Sequence, residues 1–213
     1  MNDVIQTIAV YAIPVIFAIT LHEAAHGYVA KYFGDATAYL QGRVSLNPLK
    51  HVDPVGTILI PLVLALLPFG FVFGYAKPVP VNFENLRDPK RDMIWVALAG
   101  PAANLVQAFV WVGIGTLFEL SGVTEPYFGR VVSAGVIVNC VVFAFNLIPV
   151  PPLDGGRIVM GLLPDRAALP YSRIEPYGFF IVMGLVAFGL LGVWMGPIVN
   201  GLVFFFNSLS AIL

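Results

Sequence analysis

The sequence predicts an all-α polytopic membrane protein, with about five transmembrane helices, one re-entrant segment and a small membrane-associated β-sheet. Three observations predict it. Apolar residues make up 59 % of the 213 and charged residues only 11 %, with a mean hydropathy of +0.88; soluble domains run at about half apolar and a quarter charged. The apolar residues are gathered into runs that meet the ~20 residues a helix needs to span a bilayer core. The polar residues that interrupt these runs come in a few groups, mixed with His, Pro and Gly. The net charge of −1 argues against a nucleic-acid partner. The single cysteine, Cys140, excludes an internal disulfide and sits in an apolar run as a small packing residue.

The first helix is expected from about Val4 to Phe33, ending at the Gly34-Asp35 break. The N-terminal MNDV lacks the basic region of a cleavable signal. Further spans are expected over about Met93 to Leu120, Val131 to Ile148, Tyr177 to Trp194 and, shorter, Ile198 to Leu213. The apolar stretch Thr57 to Phe73 differs from these. Pro61 and Pro68 interrupt it and Gly56, Gly70 and Gly74 flank it, which suggests a re-entrant segment covered by protein; a kinked span is the alternative.

Charge placement favours re-entry. If Thr57–Phe73 does not cross, then Lys31, Arg43, Lys50, Lys77, Arg87, Lys90, Arg91, Arg157, Arg166 and Arg173 share one side, and Arg130 is left on the other. That is the asymmetry of the positive-inside rule, with the crowded side cytoplasmic. Two stretches alternate polar and apolar residues as strands do: Gln41 to Pro48 and Ala76 to Asn82. Their prolines confine them to edge positions, and a pair of loops is the alternative.

His22-Glu23-Ala24-Ala25-His26 forms H-E-x-x-H inside the first apolar helix. Residues four apart share a helix face, so both imidazoles can reach one metal ion, and Glu23 beside them can act on water as a base. The donor types suit zinc. Two of the chain's three histidines lie in this motif, and ionisable groups inside a bilayer are costly enough to imply function. A packed pair of neutral histidines is the bland alternative.

A catalytic zinc takes a third protein ligand. Asp154 is the candidate, at the end of the run from Val131, where Pro149, Pro151 and Pro152 hold the chain out of regular helix and Gly155-Gly156 permit close approach. Its alternative role is to cap the helix that follows. Asn146 is a buried amide candidate for an oxyanion contact, or else an interhelical hydrogen bond. His51 with Asp53 reads as a turn before Pro54 rather than a metal pair. Asn104, in Gly100-Pro101-Ala102-Ala103-Asn104, reads as close helix packing with a hydrogen bond across the interface.

Together these motifs resemble the site-2 protease family (peptidase family M50) of intramembrane zinc metalloproteases. The resemblance rests on His22 to His26, on Gly100-Pro101 with Asn104, and on Asn146 through Leu153-Asp154-Gly155-Gly156-Arg157. Phe33-Gly34-Asp35, Gly42-Arg43-Val44-Ser45-Leu46-Asn47-Pro48, Asp53-Pro54-Val55-Gly56-Thr57 and Ala76 to Asn82 look like the compact bacterial branch without a PDZ domain. It covers about Ile16 to Leu163. It implies Zn2+ held by His22, His26 and Asp154, Glu23 as general base and acid, and Asn146 as an oxyanion or substrate contact. It also implies a three-helix core and a sheet that receives a transmembrane substrate as an added strand, near Val44 and Val79.

The expectation is therefore one integral membrane metalloprotease domain over residues 1–213, with a catalytic core at about 4–163 and C-terminal helices at about 177–213. It is expected in the cell membrane, as a bacterial inner-membrane protein with the site toward the cytoplasm, acting on membrane-protein segments in regulated intramembrane proteolysis. The alternatives are a catalytically inactive zinc-binding scaffold or a metal transporter. The intact Glu23 speaks against the first, and the lack of repeats or a second ionisable cluster against the second.

Overall fold

Three long apolar helices pack on one another and carry everything else. In the computed structural model, which describes residues 2–60, 63 and 74–211, these are α1 (Asn2–Tyr32), α2 (Pro89–Leu120) and α3 (Pro126–Asn146). Short α4 (Asp154–Leu162) packs on α2, and α5 (Asp165–Ser172) follows it. The pair α6 (Gly178–Ala187) and α7 (Leu190–Ser210) completes the chain, with α7 against α3 and α2. At 1.5 Å per residue α1 and α2 exceed 45 Å, longer than the ~30 Å hydrocarbon core. Among the described residues four helices are long and apolar enough to cross a bilayer: α1, α2, α3 and α7. The protein is a multi-pass membrane protein.

The C-terminal region corrects the expected pair of spans. The break falls at Gly189, whose φ of 70° is the left-handed conformation that ends α6. At 10 residues α6 is about 15 Å long, too short to cross. Pro197, expected near the boundary, lies inside α7 instead.

The buried side chains fall into two groups. Toward the end bearing the α2 C-terminus, Ala108, Val112, Val136, Cys140 and Phe206 join α2, α3 and α7. Toward the other end, Ala30, Leu86, Met93 and Val96 join α1 to α2 and to the segment before α2. Polar contacts reinforce that second end. Asp35 is fully buried just past α1, and it accepts from Thr37 N and Oγ1, Asn82 N and Asn85 Nδ2. Burial pushes its carboxyl up, but these donors outweigh it and hold the pKa below the ordinary 3.8.

A depressed folded-state value stabilises the protein above the unfolded carboxylate pKa, and that stability is lost as pH falls through the folded value. The solubilised protein should therefore lose thermal stability below about pH 4, and Asp35→Asn should flatten that acid-side slope. Melting temperatures at pH 3 to 6 check this; an unchanged slope in Asp35→Asn would remove Asp35 from the explanation.

The small sheet is not present among the described residues. Residues 76–82 form neither helix nor paired strand, and side chains take backbone groups that a neighbouring strand would use. Val79 N–H donates to Glu23 and Asn82 N–H to Asp35, while the Arg43 guanidinium donates to the carbonyls of Lys77 and Pro78. Lys77 N–H bonds the His51 carbonyl, and Pro78 and Pro80 have no N–H to give. The expected re-entrant stretch 57–73 lies mostly outside the described residues. Its flanks meet: Tyr75 N–H donates to the Gly56 carbonyl at 3.0 Å, so the chain returns to the level at which it left.

Candidate metal centre

His22 and His26 lie one turn apart on α1, facing α2. Helical spacing explains that placement, and the far side of the site is shaped by a stripe on α2 of the same spacing: Val96, Gly100 and Asn104. His26 Nδ1 is 2.7 Å from the Val96 carbonyl oxygen and His22 Nδ1 is 2.7 Å from Asn104 Oδ1. Gly100 faces both rings; a Cβ there would overlap His26 Nε2 and His22 Cε1.

These bonds settle the tautomers. A carbonyl oxygen only accepts, so His26 carries its proton on Nδ1. Asn104 donates its Nδ2 hydrogens to the Ala18 carbonyl and to Asn139 Oδ1, which leaves Oδ1 as the acceptor for a protonated His22 Nδ1. In the neutral rings both Nε2 atoms are then lone-pair donors, 3.0 Å apart.

Asp154 completes the group from α4. Its Oδ2 is 3.2 Å from His22 Nε2 and its Oδ1 is 3.4 Å from His26 Nε2. It does not cap α4. The helix begins at Asp154 itself, Leu153 is the residue before it, and no side chain bonds that N-terminus. Two glycines deliver the carboxylate: a Cβ on Gly155 would strike the Leu147 backbone, and one on Gly156 the backbone of Val150 and Pro151. The turn from α3 thus folds tightly onto the start of α4 and turns Asp154 inward.

Two imidazole Nε2 atoms and a carboxylate converge, each able to offer a lone pair to one ion. Asp154 Oδ2 is buried and has no hydrogen-bond partner. A cation at the centre would satisfy all three groups at once. A tetrahedral zinc with bonds of 2.0–2.1 Å sets its ligand atoms about 3.4 Å apart, close to the separations seen here. Among the described residues, this is the one group of three or more such side chains placed to hold a metal. The donor set fits zinc.

Glu23, next to His22 on α1, is half-buried and not part of that group; its Oε2 accepts from Val79 N–H at 2.7 Å. Asn146 ends α3, and its Nδ2 donates to the Val142 carbonyl one turn back, leaving one amide hydrogen uncommitted. Among the described residues, no hydrogen bond joins it to His22, His26 or Asp154. His51 is buried with Nε2 on the Ser45 carbonyl, away from the metal group, and Asp53 caps the turn after it through Val55 N–H and Gly56 N–H. Asn104 forms the expected bond across helices, but its partner is a candidate metal ligand. The signal for that lay in helical phase: Val96, Gly100 and Asn104 recur every four residues.

Comparison with known proteins gives the family. The profile of peptidase family M50 matches residues 123–189. YwhC of Bacillus subtilis is 40 % identical over 195 residues, covering 88 % of this chain and 84 % of that protein. Rip2 of Mycolicibacterium smegmatis is 32 % identical, covering 86 % of this chain and 69 % of that protein. MJ0392 of Methanocaldococcus jannaschii is 25 % identical, over 94 % of this chain and 48 % of that protein. Each of the three carries zinc metalloprotease in its name. No solved structure matches. The likeness to YwhC covers most of both chains, and the chain belongs to peptidase family M50, the intramembrane zinc metalloproteases of site-2 type.

Proposed function

We propose that His22, His26 and Asp154 are the zinc ligands, and that Glu23 is the general base and acid for hydrolysis of peptide bonds in transmembrane segments. The observation that carries this is the convergence of three ligand atoms within 4.8 Å, with both imidazoles held from behind through Nδ1. Zinc bound there supplies a Lewis acid and lowers the pKa of water to about 7.

The chain's own residues do the rest. A Glu23 carboxylate oxygen takes the proton of the attacking water as the new C–O bond forms. It passes that proton to the amine nitrogen as the C–N bond breaks, which leaves Glu23 ionised for the next cycle. The free amide hydrogen of Asn146 donates to the carbonyl oxygen as negative charge grows on it. A helical substrate shields its own peptide bonds, so it must unwind and enter extended, as an added strand beside the extended segments that flank α1.

Placement supports a cytoplasmic-side site in the cell membrane, that of the bacterial inner membrane. His22 and His26 lie 10 and 6 residues before the end of α1, about 15 and 9 Å along its axis. That end adjoins the segments bearing ten of the eleven Lys and Arg residues, the asymmetry expected of the cytoplasmic face.

The test is zinc per chain in purified protein, by elemental analysis. Wild type should hold about one zinc, and both His22→Ala and Asp154→Ala should lose it, because removing one of three ligands from a site of this kind leaves too few. Zinc retained at full stoichiometry in Asp154→Ala would take Asp154 out of the ligand set.

A further inference from the structure

We infer that the extended segment Lys77–Val79 is a backbone clamp that sets the orientation of Glu23, and that Arg43 is the positioning residue that holds the clamp in place. This rests on the reading of Glu23 as the base.

Two independent contacts put the segment on the Glu23 row of α1. Val79 N–H donates to Glu23 Oε2 at 2.7 Å. One turn further along, Gly27 leaves the space that the segment fills: a Cβ there would lie 3.2 Å from Val79 Cγ1 and 2.8 Å from Val44 Cγ2. Val79 is buried against this surface. With one carboxylate oxygen held by a main-chain donor, the other is left for the proton of water, at a fixed angle.

A single backbone donor positions a side chain only if the backbone itself is fixed. Here it is held on both sides of the peptide. The Arg43 guanidinium donates through Nη2 to the Lys77 carbonyl at 2.9 Å and to the Pro78 carbonyl at 3.2 Å. Lys77 N–H donates to the His51 carbonyl at 2.9 Å. Pro78 and Pro80 stiffen the chain on either side of Val79. The segments bearing Arg43 and Val79 are therefore joined by a side chain rather than by a ladder, and the join ends on the base.

The experiment removes the donor without changing the shape. Ester substitution at residue 79, made by nonsense suppression with the α-hydroxy analogue of valine, replaces N–H by O. Kinetics are read on a leucine–alanine transmembrane peptide with a central Gly-Pro break, a fluorophore and a quencher, selected from a panel of such peptides for turnover by the wild type. A misplaced base should cost about 10–100-fold in kcat, with KM within about twofold and zinc per chain unchanged. Arg43→Ala should reproduce the kcat loss, and Arg43→Lys, which keeps a cation near both carbonyls, should recover most of it. In zinc-stripped protein, amide exchange over residues 76–82 should speed up in Arg43→Ala, a readout that needs no turnover.

Wild-type kcat in the ester protein, with Glu23→Gln inactive, would overturn the clamp and leave the base assignment standing. Glu23→Gln active at the wild-type rate would defeat the base assignment first. Loss of zinc together with activity in the ester protein would make the segment a support of the metal site and would also overturn the inference.

Discussion

Glu23→Gln should abolish cleavage to within about 10²–10⁴-fold of wild type, the range a general base contributes, while zinc stays at wild-type stoichiometry. The amide has the size of the carboxylate and keeps an oxygen that can accept from Val79 N–H, so the extended segment over α1 stays in place. What it loses is the capacity to take a proton. Zinc is retained because Glu23 lies outside the converging group of His22, His26 and Asp154. Cleavage rate and zinc content measured on one preparation decide the matter. A Gln variant that cleaves like wild type would place the base elsewhere. One that loses zinc would place Glu23 in the ligand set instead.

The motif helix was legible because its chemistry is local: His22 and His26 share a face by spacing alone, and the apolar run around them told where that face would lie. Asp154 was legible for a different reason. Three prolines and two glycines after α3 announced a tight non-helical return, and a lone acid at the end of an apolar run has few other uses there. The backing of the site was harder. Asn104 was expected to bond across helices, but nothing in α2 says whether its partner is a ligand or a passive carbonyl, since that depends on how two helices are rotated about their axes.

The sheet and the last pair of spans show what pattern alone leaves out. Alternation at residues 76–82 implied a strand, yet pairing depends on who takes the N–H groups, and here Glu23, Asp35 and His51 do. At the C-terminus two breakers competed, Gly189 and Pro197. The glycine won because its left-handed φ ends a helix outright, whereas a proline in a membrane helix can be carried within it.

Gly100→Ala should give protein that folds and holds almost no zinc. In an exposed helix this change would stabilise by about 1 kcal/mol, since alanine is the better helix former, and α2 gives no backbone reason for glycine at this position. The reason is across the interface, where the added methyl would sit on His26 Nε2 and on His22 Cε1 and Nε2. Neither ring can swing aside cheaply. His26 is tied through Nδ1 to the Val96 carbonyl and His22 through Nδ1 to Asn104, so moving either breaks a buried hydrogen bond. The methyl therefore overlaps both of the nitrogens that would bind zinc. Zinc per chain and a melting curve of the solubilised protein, measured together against zinc-stripped wild type, test this. Zinc near zero with a melting temperature no lower than that of the stripped wild type is the expected pair. A Gly100→Ala protein with full zinc and normal cleavage would mean that α1 and α2 can separate enough to admit a methyl, and that the Val96, Gly100 and Asn104 stripe does not set the geometry of the site.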